Sequence, residues 1–303
     1  MSARPRLLLL CPGQGGQHAD MFALARSDPA SRAFLAACEL PDDAQALFDN
    51  RVAQPAIVAA TLGTWLALRA ALPTPALVAG YSIGELAAYG VAGALRPEEA
   101  VRLARARAAL MDAAAGAVAQ GLAAVSGVEV GQVAAHLAGV AGVAGVAEVA
   151  IVTGYDSCIV GATHDQLDAL PARWPDARVQ RLPVTVAAHT ALMQSAVAPF
   201  AALLAESGLT APPLPVLAGI DATQVLRRDR AIERLSRQVA EKIEWVACMV
   251  ACAEAGITVA LELGPGAALA RMLQARHPHI ACRSVADFHT LDGIAAWVAR
   301  ALD

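Results

Sequence analysis

One serine stands between two glycines at the point where an apolar segment meets a helical one. The run Gly80-Tyr81-Ser82-Ile83-Gly84 follows the apolar residues 77–79. Gly-x-Ser-x-Gly at a strand-to-helix junction is the pattern of a nucleophile elbow, a tight turn that exposes the serine hydroxyl. The N–H groups that open the following helix then point toward whatever the serine binds. Because glycine and serine are common in loops, an ordinary strand–loop–helix turn has the same pattern.

A serine hydroxyl is a poor nucleophile until a base takes its proton, so the elbow needs a histidine partner. Among the 7 histidines, His189 differs from the others because small residues precede it where the chain re-enters the predicted core. No aspartate between Ser82 and His189 occupies the strand-end position that a hydrolase triad uses. We therefore expect a Ser–His dyad whose imidazole is oriented by a neutral acceptor, a main-chain carbonyl.

The composition narrows the class of protein. The chain has 303 residues, 57% of them hydrophobic, and a formal net charge of -4. This length is ample for a large core, and the mild negative charge argues against nucleic acid as a partner. No apolar run approaches the ~20 residues of a membrane span, and the apolar start at 7–10 is far shorter than a signal-peptide core. We expect a soluble, cytoplasmic protein without a membrane partner.

Neither a metal nor a bound cofactor is expected. The 6 cysteines are scattered, without a Cys-x-x-Cys pair or a neighbouring histidine cluster, so buried thiols in a reducing compartment are the better interpretation. The glycine-rich run 12–17 after the first strand lacks the Gly-Lys-Ser/Thr ending of a phosphate loop. It also lacks a third glycine at dinucleotide spacing.

The elements that must position these residues alternate between strand and helix over 1–117 and 186–303. This alternation predicts an α/β-hydrolase-like core with a mostly parallel sheet. The helix from 54 to about 72 is expected to carry Pro55 in its first turn, where proline fits best. The other main predicted elements are strands at 7–11, 77–79, 216–219 and 259–263, and helices at 85–92, 96–115, 230–238 and 267–275.

Residues 118–185 show a different order, strand–helix–strand–strand–helix–strand, which is the ferredoxin-like arrangement. The two middle strands form a hairpin of 146–153 and 157–161, and the Val-Ala-Gly run at 139–147 is expected to be a loop. The chain is thus predicted to hold a compact ferredoxin-like small domain inserted into the large catalytic domain.

Several motifs together resemble the malonyl-CoA:acyl-carrier-protein transacylase family. They occur in that family's order and near its spacings, and they cover almost the whole chain, so that the set is far more specific than any one motif. The motifs are the run 12–17, Gln54-Pro55-Ala56, the elbow with Glu85, Arg107 with Met111, His189 with Met193, Arg237-Gln238 with Trp245, and 262–266.

The resemblance implies roles for five catalytic residues. Ser82 is the nucleophile that becomes acylated, and His189 is the general base. Gln14 and the backbone N–H of Ile83 form the oxyanion hole, which stabilises the tetrahedral intermediate. The main-chain carbonyl of Gln238 holds the imidazole ring.

The resemblance also implies how the acyl group is bound. Arg107 matches the guanidinium that pairs with the free carboxylate of malonyl, and such a bidentate pair selects a dicarboxylic acyl group over acetyl. Gln14, Gln54 and Tyr81 complete the substrate-binding set. Tyr81 is a departure, because the family's usual elbow has histidine at that position, and its side chain faces the acyl pocket.

Within the family, the elbow with Tyr81 and the runs 216–221 and 261–272 look most like the malonyltransferase (epsilon or H) subunit of bacterial malonate decarboxylase. That branch implies malonyl transfer from malonyl-CoA to the thiol of a carrier subunit bearing a dephospho-CoA-type group, with other decarboxylase subunits as partners. The alternatives are the transacylase of fatty-acid or polyketide synthesis, whose acyl carrier protein has a phosphopantetheine thiol, a serine hydrolase or thioesterase, and a carrier-docking scaffold without activity.

Overall fold

The computed structural model describes residues 5–40, 45–144 and 147–303. Its strands are β1 (Leu7–Cys11), β2 (Leu77–Gly80), β3 (Gln120–Ser126), β4 (Ala147–Val152), β5 (Ser157–Thr163), β6 (Arg178–Arg181), β7 (Val216–Leu217), β8 (Gln224–Val225), β9 (Val259–Glu262) and β10 (Ala281–Ser284). Its helices are α1 (Pro29–Ala37), α2 (Asn50–Leu68), α3 (Ile83–Val91), α4 (Pro97–Ala115), α5 (Val130–Ala144), α6 (His164–Arg173), α7 (Gln194–Glu206), α8 (Arg228–Gln238), α9 (Trp245–Glu254), α10 (Ala268–Arg276) and α11 (Leu291–Leu302).

The larger sheet has the strand order β10-β9-β1-β2-β7-β8 and is parallel except for the β7–β8 pair. Every residue of β1, β2 and β9 is buried, as expected for parallel strands that are covered on both faces. Cys11 pairs with Gly80, and Leu10 pairs with Glu262, at the carboxyl ends of these three strands. The loops that follow β1, β2 and β9 therefore meet at one edge of the sheet.

The second sheet is antiparallel, with the order β4-β5-β3-β6. Helices α5 and α6 accompany it in the β-α-β-β-α-β order, and its strands and helices share a separate apolar core around Val125, Val133 and Val160. The predicted fold class, a mostly parallel α/β core with a ferredoxin-like insert, is confirmed. This sheet falls within the predicted range 118–185, whose boundaries stay a prediction, and position 146 of the predicted hairpin lies outside the described residues.

Two local predictions were wrong. Helix α2 begins at Asn50, four residues before the predicted start, because the Asp49 side chain accepts a hydrogen bond from the Arg51 N–H and caps it. Pro55 consequently lies inside the helix, where it lacks the N–H that would bond the fourth preceding carbonyl. The predicted loop at 139–147 is helical as far as Ala144, since the helix propensity of alanine outweighs the cost of the interspersed glycines. Residues 145 and 146 lie outside the described ranges.

Four elements were not predicted: α1, α11, β8 and β10. All six cysteines are free thiols, and only Cys282 is not fully buried. In the described ranges, none of the helices combines the length and the apolarity needed to cross a bilayer. Over the same residues, His, Cys, Asp and Glu side chains nowhere come together in a group of three or more that could hold a metal ion.

Candidate active site

The two glycines of the elbow occupy positions at which a side chain would not fit. Ser82 lies between β2 and α3 with φ 55° and ψ -119°, a conformation that non-glycine residues seldom adopt. A Cβ on Gly80 would overlap the Gly84 carbonyl, and a Cβ on Gly84 would overlap the carbonyl oxygen of Cys11 in the adjacent strand. Only residues without side chains therefore let the turn pack this tightly against the sheet.

The structure brings His189 to Ser82 across 107 residues of sequence. The imidazole Nε2 lies 2.7 Å from the Ser82 Oγ, and Nδ1 lies 2.6 Å from the main-chain carbonyl oxygen of Gln238. Because a carbonyl oxygen can only accept, Nδ1 carries the ring proton and Nε2 presents its lone pair to the serine hydroxyl. His189 also has a positive φ, 65°, so both members of the pair are held in strained backbone conformations.

The surroundings keep the imidazole neutral. Burial, together with the positive charge of Arg107, lowers the pKa of His189 to about 3. The neutral form, which alone can accept the serine proton, is thus fully populated at physiological pH. The contacts and the neutral ring fit a nucleophile–base pair in which a main-chain carbonyl, and not a carboxylate, orients the imidazole.

Two hydrogen-bond donors accompany Ser82. Ile83 is the first residue of α3, and the N–H groups in the first turn of a helix have no intrahelical acceptor. Gln14, in the loop after β1, has a buried side-chain Nε2 that finds no acceptor anywhere in the described part of the chain. A buried donor without a partner costs free energy, which an incoming oxygen ligand would recover.

A cavity of about 350 Å³ opens over this pair. Gln14, Tyr81, Ser82 and His189 line it, and α10 contributes Arg271 and Met272. The opposite wall is apolar and comes from the small sheet and the return segment that follows it: Leu122, Ile151, Ile159, Leu182 and Val184. The Tyr81 ring packs edge-on against Trp245, with ring centroids 5.2 Å apart, so Tyr81 is fixed in the cavity wall.

The cavity lining does not include Arg107, Gln54 or Gln238, which are connected to it through the contact of Gln238 with His189. The Arg107 Nη1 donates to the Gln54 Oε1 at 2.7 Å, and its Nη2 donates to the Gln238 Oε1 at 3.3 Å. Only 2% of Arg107 is exposed, and burial lowers the pKa of its guanidinium to about 10. Arg107 thus remains protonated at neutral pH, contacts two neutral amides, and keeps further N–H donors for a ligand.

Sequence reasoning missed the contribution of two side chains. The resemblance implied only the main-chain carbonyl of Gln238, yet the Gln238 side chain also donates to the Ser82 carbonyl oxygen, at 3.2 Å. Glu85, which entered only as part of the elbow motif, accepts a hydrogen bond from Gln238 at 2.5 Å. A usable signal was present, because Glu85 is the one charged residue of α3, a helix whose every residue is buried.

Residues 8–278 match the acyl transferase domain. The chain belongs to the acyl transferase family. It is 30% identical over 306 residues to the malonyl CoA-acyl carrier protein transacylase of Mycobacterium bovis, with 95% of this chain and 99% of that protein covered. The family match at 8–278 includes all the candidate site residues and all of the small sheet.

Solved structures agree with this assignment. The acyl-carrier-protein S-malonyltransferase of Burkholderia pseudomallei is 28% identical with a TM-score of 0.88, covering 96% of this chain and 99% of that one. The malonyl-CoA:acyl carrier protein transacylase of Xanthomonas oryzae pv. oryzae is 28% identical with a TM-score of 0.89, covering 98% of this chain and 99% of that one. The fold of this acyltransferase is therefore that of the carrier-protein malonyltransferases over nearly its full length.

Proposed function

We propose that this acyltransferase moves a malonyl group from malonyl-CoA to the prosthetic-group thiol of an acyl carrier protein, through a malonyl-serine intermediate. The observation that carries the proposal is the Ser82–His189 contact of 2.7 Å with the buried Arg107 joined to the same cluster through Gln238. A nucleophile with its base explains acyl transfer, and a buried cation beside them explains the choice of an acyl group with a free carboxylate.

In the first half-reaction, the Nε2 of His189 takes the hydroxyl proton as the Ser82 Oγ attacks the thioester carbonyl. The side chain of Gln14 and the backbone N–H of Ile83 stabilise the negative oxygen of the tetrahedral intermediate. The C–S bond then breaks, and the imidazolium returns its proton to the departing CoA thiolate. The carrier thiol attacks the malonyl-serine by the reverse of these steps, and Ser82 is regenerated.

Arg107 supplies the preference for malonyl. The acyl end enters past Ser82 and His189, and its carboxylate pairs with the N–H donors of Arg107 that the two glutamines leave free. The planar guanidinium fork suits a carboxylate. An acetyl group would instead leave a buried guanidinium without a carboxylate in direct contact, which is unfavourable.

The carrier is proposed to be an acyl carrier protein of fatty-acid or polyketide synthesis. The names of the relatives described above, each a carrier-protein malonyltransferase, support this reading over the malonate decarboxylase branch. The assignment to malonate decarboxylase, with its dephospho-CoA-type carrier and partner subunits, stays a prediction based on the elbow with Tyr81 and the runs 216–221 and 261–272.

One experiment tests these possibilities together. The full chain is mixed with malonyl-CoA and either a phosphopantetheine carrier or a dephospho-CoA-type carrier, and malonyl-carrier and free malonate are both measured. Preferential malonylation of the phosphopantetheine carrier is expected. Preferential malonylation of the other carrier would establish the malonate decarboxylase branch, and malonate release that outpaces transfer to both would establish a thioesterase. Ser82→Ala is the control for uncatalysed exchange.

A further inference from the structure

Glu85 is a buried carboxylate that the mechanism above does not use. Its side chain is fully buried in α3, and its Oε2 accepts hydrogen bonds from the Gly219 N–H at 2.9 Å and from the Gln238 Nε2 at 2.5 Å. Its Oε1 is buried without a hydrogen-bond partner among the described residues. Burying a carboxylate costs free energy, and two donors to one oxygen offset only part of that cost. Packing alone therefore does not account for a carboxylate at this position.

The contacts of Glu85 fix which way the Gln238 amide points. Glu85 can only accept when ionised, so it holds the NH₂ end of the amide, and the oxygen end is left to accept from Arg107 at 3.3 Å. The reversed amide would place oxygen against a carboxylate and NH₂ against a guanidinium, which is unfavourable at both ends. The hydrogen bonds therefore run in one direction, with Arg107 donating to Gln238 and Gln238 donating to Glu85.

This arrangement gives Arg107 a counter-charge without covering it. Glu85 is the carboxylate whose charge favours the protonated form of Arg107, yet a neutral amide separates the two groups. A direct Arg–Glu pair would occupy the guanidinium fork and compete with a carboxylated ligand. A carboxylate one amide away stabilises the cation and leaves the fork available.

The same amide reaches the catalytic pair. The Gln238 Nε2 also donates to the Ser82 carbonyl oxygen at 3.2 Å, and the main-chain carbonyl of Gln238 receives the Nδ1–H of His189 at 2.6 Å. Gln238 therefore sits at the junction of the selectivity group and the catalytic pair. A group that fixes its side chain acts on both.

We propose that Glu85 is a positioning residue for acyl selectivity: its negative charge, acting through the Gln238 amide, holds the Arg107 fork charged, oriented and open for the carboxylate of the acyl group. The inference rests on the proposed function, since it names the residue that prepares Arg107 for malonyl. Glu85 itself does not touch the substrate.

Protonation of Glu85 should mimic loss of its charge. The ionisable groups close enough to act on it, from its own helix, α4, α9 and the loop after β7, are Tyr89, Arg107, Cys248 and Asp221. Burial raises the pKa of both Tyr89 and Cys248, which stay neutral, and Asp221 is ion-paired with Arg234 at 2.9 Å. Burial raises the pKa of Glu85 to about 7, so Glu85 is ionised above and protonated below that pH.

The test is the ratio of kcat/KM for malonyl-CoA to that for acetyl-CoA, measured with one carrier. Using the ratio cancels the titration of the CoA phosphates, which both substrates share. The enzymes are wild type, Glu85→Gln, Arg107→Ala and the double variant, all at pH 8. We expect Glu85→Gln to lower the ratio ~10-fold, within the range for contacting residues of one hydrogen-bond network, and to have no further effect when Arg107 is alanine.

A second measurement needs no variant and decides the matter if Glu85→Gln does not fold. In wild type the ratio should fall as the pH is lowered from about 8.5 to 6, because Glu85 takes up a proton over that interval. Where the variant folds, its ratio should be low and independent of pH. A packing role for Glu85 would not produce this pH dependence.

Three results would overturn the inference: a Glu85→Gln ratio within about twofold of wild type at pH 8, an equal effect of the substitution in the Arg107→Ala background, or a wild-type ratio that is flat with pH. In each case the proposed function survives as long as Arg107→Ala still lowers the ratio. A ratio that Arg107→Ala leaves unchanged would remove the proposed function, and the role of Glu85 with it.

Discussion

Replacing Arg107 by alanine is the perturbation that bears most on substrate choice. Arg107 is 2% exposed and its guanidinium contacts two glutamine oxygens, so no direct carboxylate partner neutralises it within the described structure. Its pKa of about 10 leaves it charged at neutral pH. A malonyl carboxylate at Arg107 would therefore form a buried ion pair.

The size of the effect follows from this burial. Removing one partner of a buried charged pair costs about 3–5 kcal/mol, which is roughly 160- to 5,000-fold in kcat/KM, because each 1.36 kcal/mol is tenfold. No discount for solvent screening applies to a side chain this buried. Acetyl transfer should stay level or rise, since acetyl gains nothing from the cation. Arg107→Lys should recover only part of the malonyl activity, because a point charge cannot form the two-bond fork.

The assay is kcat/KM for malonyl-CoA and for acetyl-CoA with the same carrier. Arg102→Ala is the matched control, because Arg102 lies in the same helix but is exposed and pairs with Glu99 at 2.6 Å. Exposed pairs of this kind contribute little, so the control should keep the wild-type ratio. If the malonyl-to-acetyl ratio barely moves in Arg107→Ala, Arg107 is an ordinary buried helix residue and the malonyl assignment loses its physical basis.

Further predictions concern the base, the elbow and the protonation state. His189→Ala should lower kcat/KM by ~10²–10⁴, and a loss below tenfold, measured on folded protein, would exclude His189 as the base. Gly84→Ala should abolish activity and lower the thermal midpoint, because its Cβ would overlap the Cys11 carbonyl. The control Gly139→Ala, in a helix with open space around it, should be neutral or stabilising by about 0.5–1 kcal/mol, and equal melting of the two variants would contradict the elbow geometry. Modification of Ser82 by an uncharged sulfonyl fluoride, measured in Glu85→Gln so that residue 85 cannot titrate, should proceed at a rate independent of pH between about 5 and 8, since the pKa of His189 is about 3. An inflection near the ordinary imidazole value of about 6.5 would contradict the burial of the ring.

The parts of the fold that the sequence could predict depend on local patterns. The apolar strands beside the elbow, the span of α4 from Pro97 to Ala115 and the order of the small sheet all agree with the structure. Helix α2 shows the limit, because the pattern around Pro55 indicated a start that the Asp49 cap displaces. The strands β8 and β10 were missed because they contain polar residues, Gln224 in one and Arg283 and Ser284 in the other, and so lack the apolar run that marked the equally short β2, β7 and β9.

The site residues likewise include some that the sequence could indicate and others that it could not. The pairing of Ser82 with His189 could be predicted from residue types, and the structure brings the two side chains together. The roles of Arg107 and Gln14 came only through resemblance and stay predictions. The contacts of Glu85 could not be inferred, because Gln238 is 153 residues away in sequence. A side-chain hydrogen bond between distant elements leaves no periodic trace, and here the only hint was a charged residue in an otherwise apolar helix.

The central claim is that Ser82 carries the malonyl group between donor and carrier. Intact-mass measurement after mixing the enzyme with malonyl-CoA, without any acceptor, tests it most directly. We expect one added malonyl group per chain, located at Ser82 by peptide mapping, absent in Ser82→Ala and discharged when a carrier thiol is added. A label on another residue, or one that persists in Ser82→Ala, would contradict it.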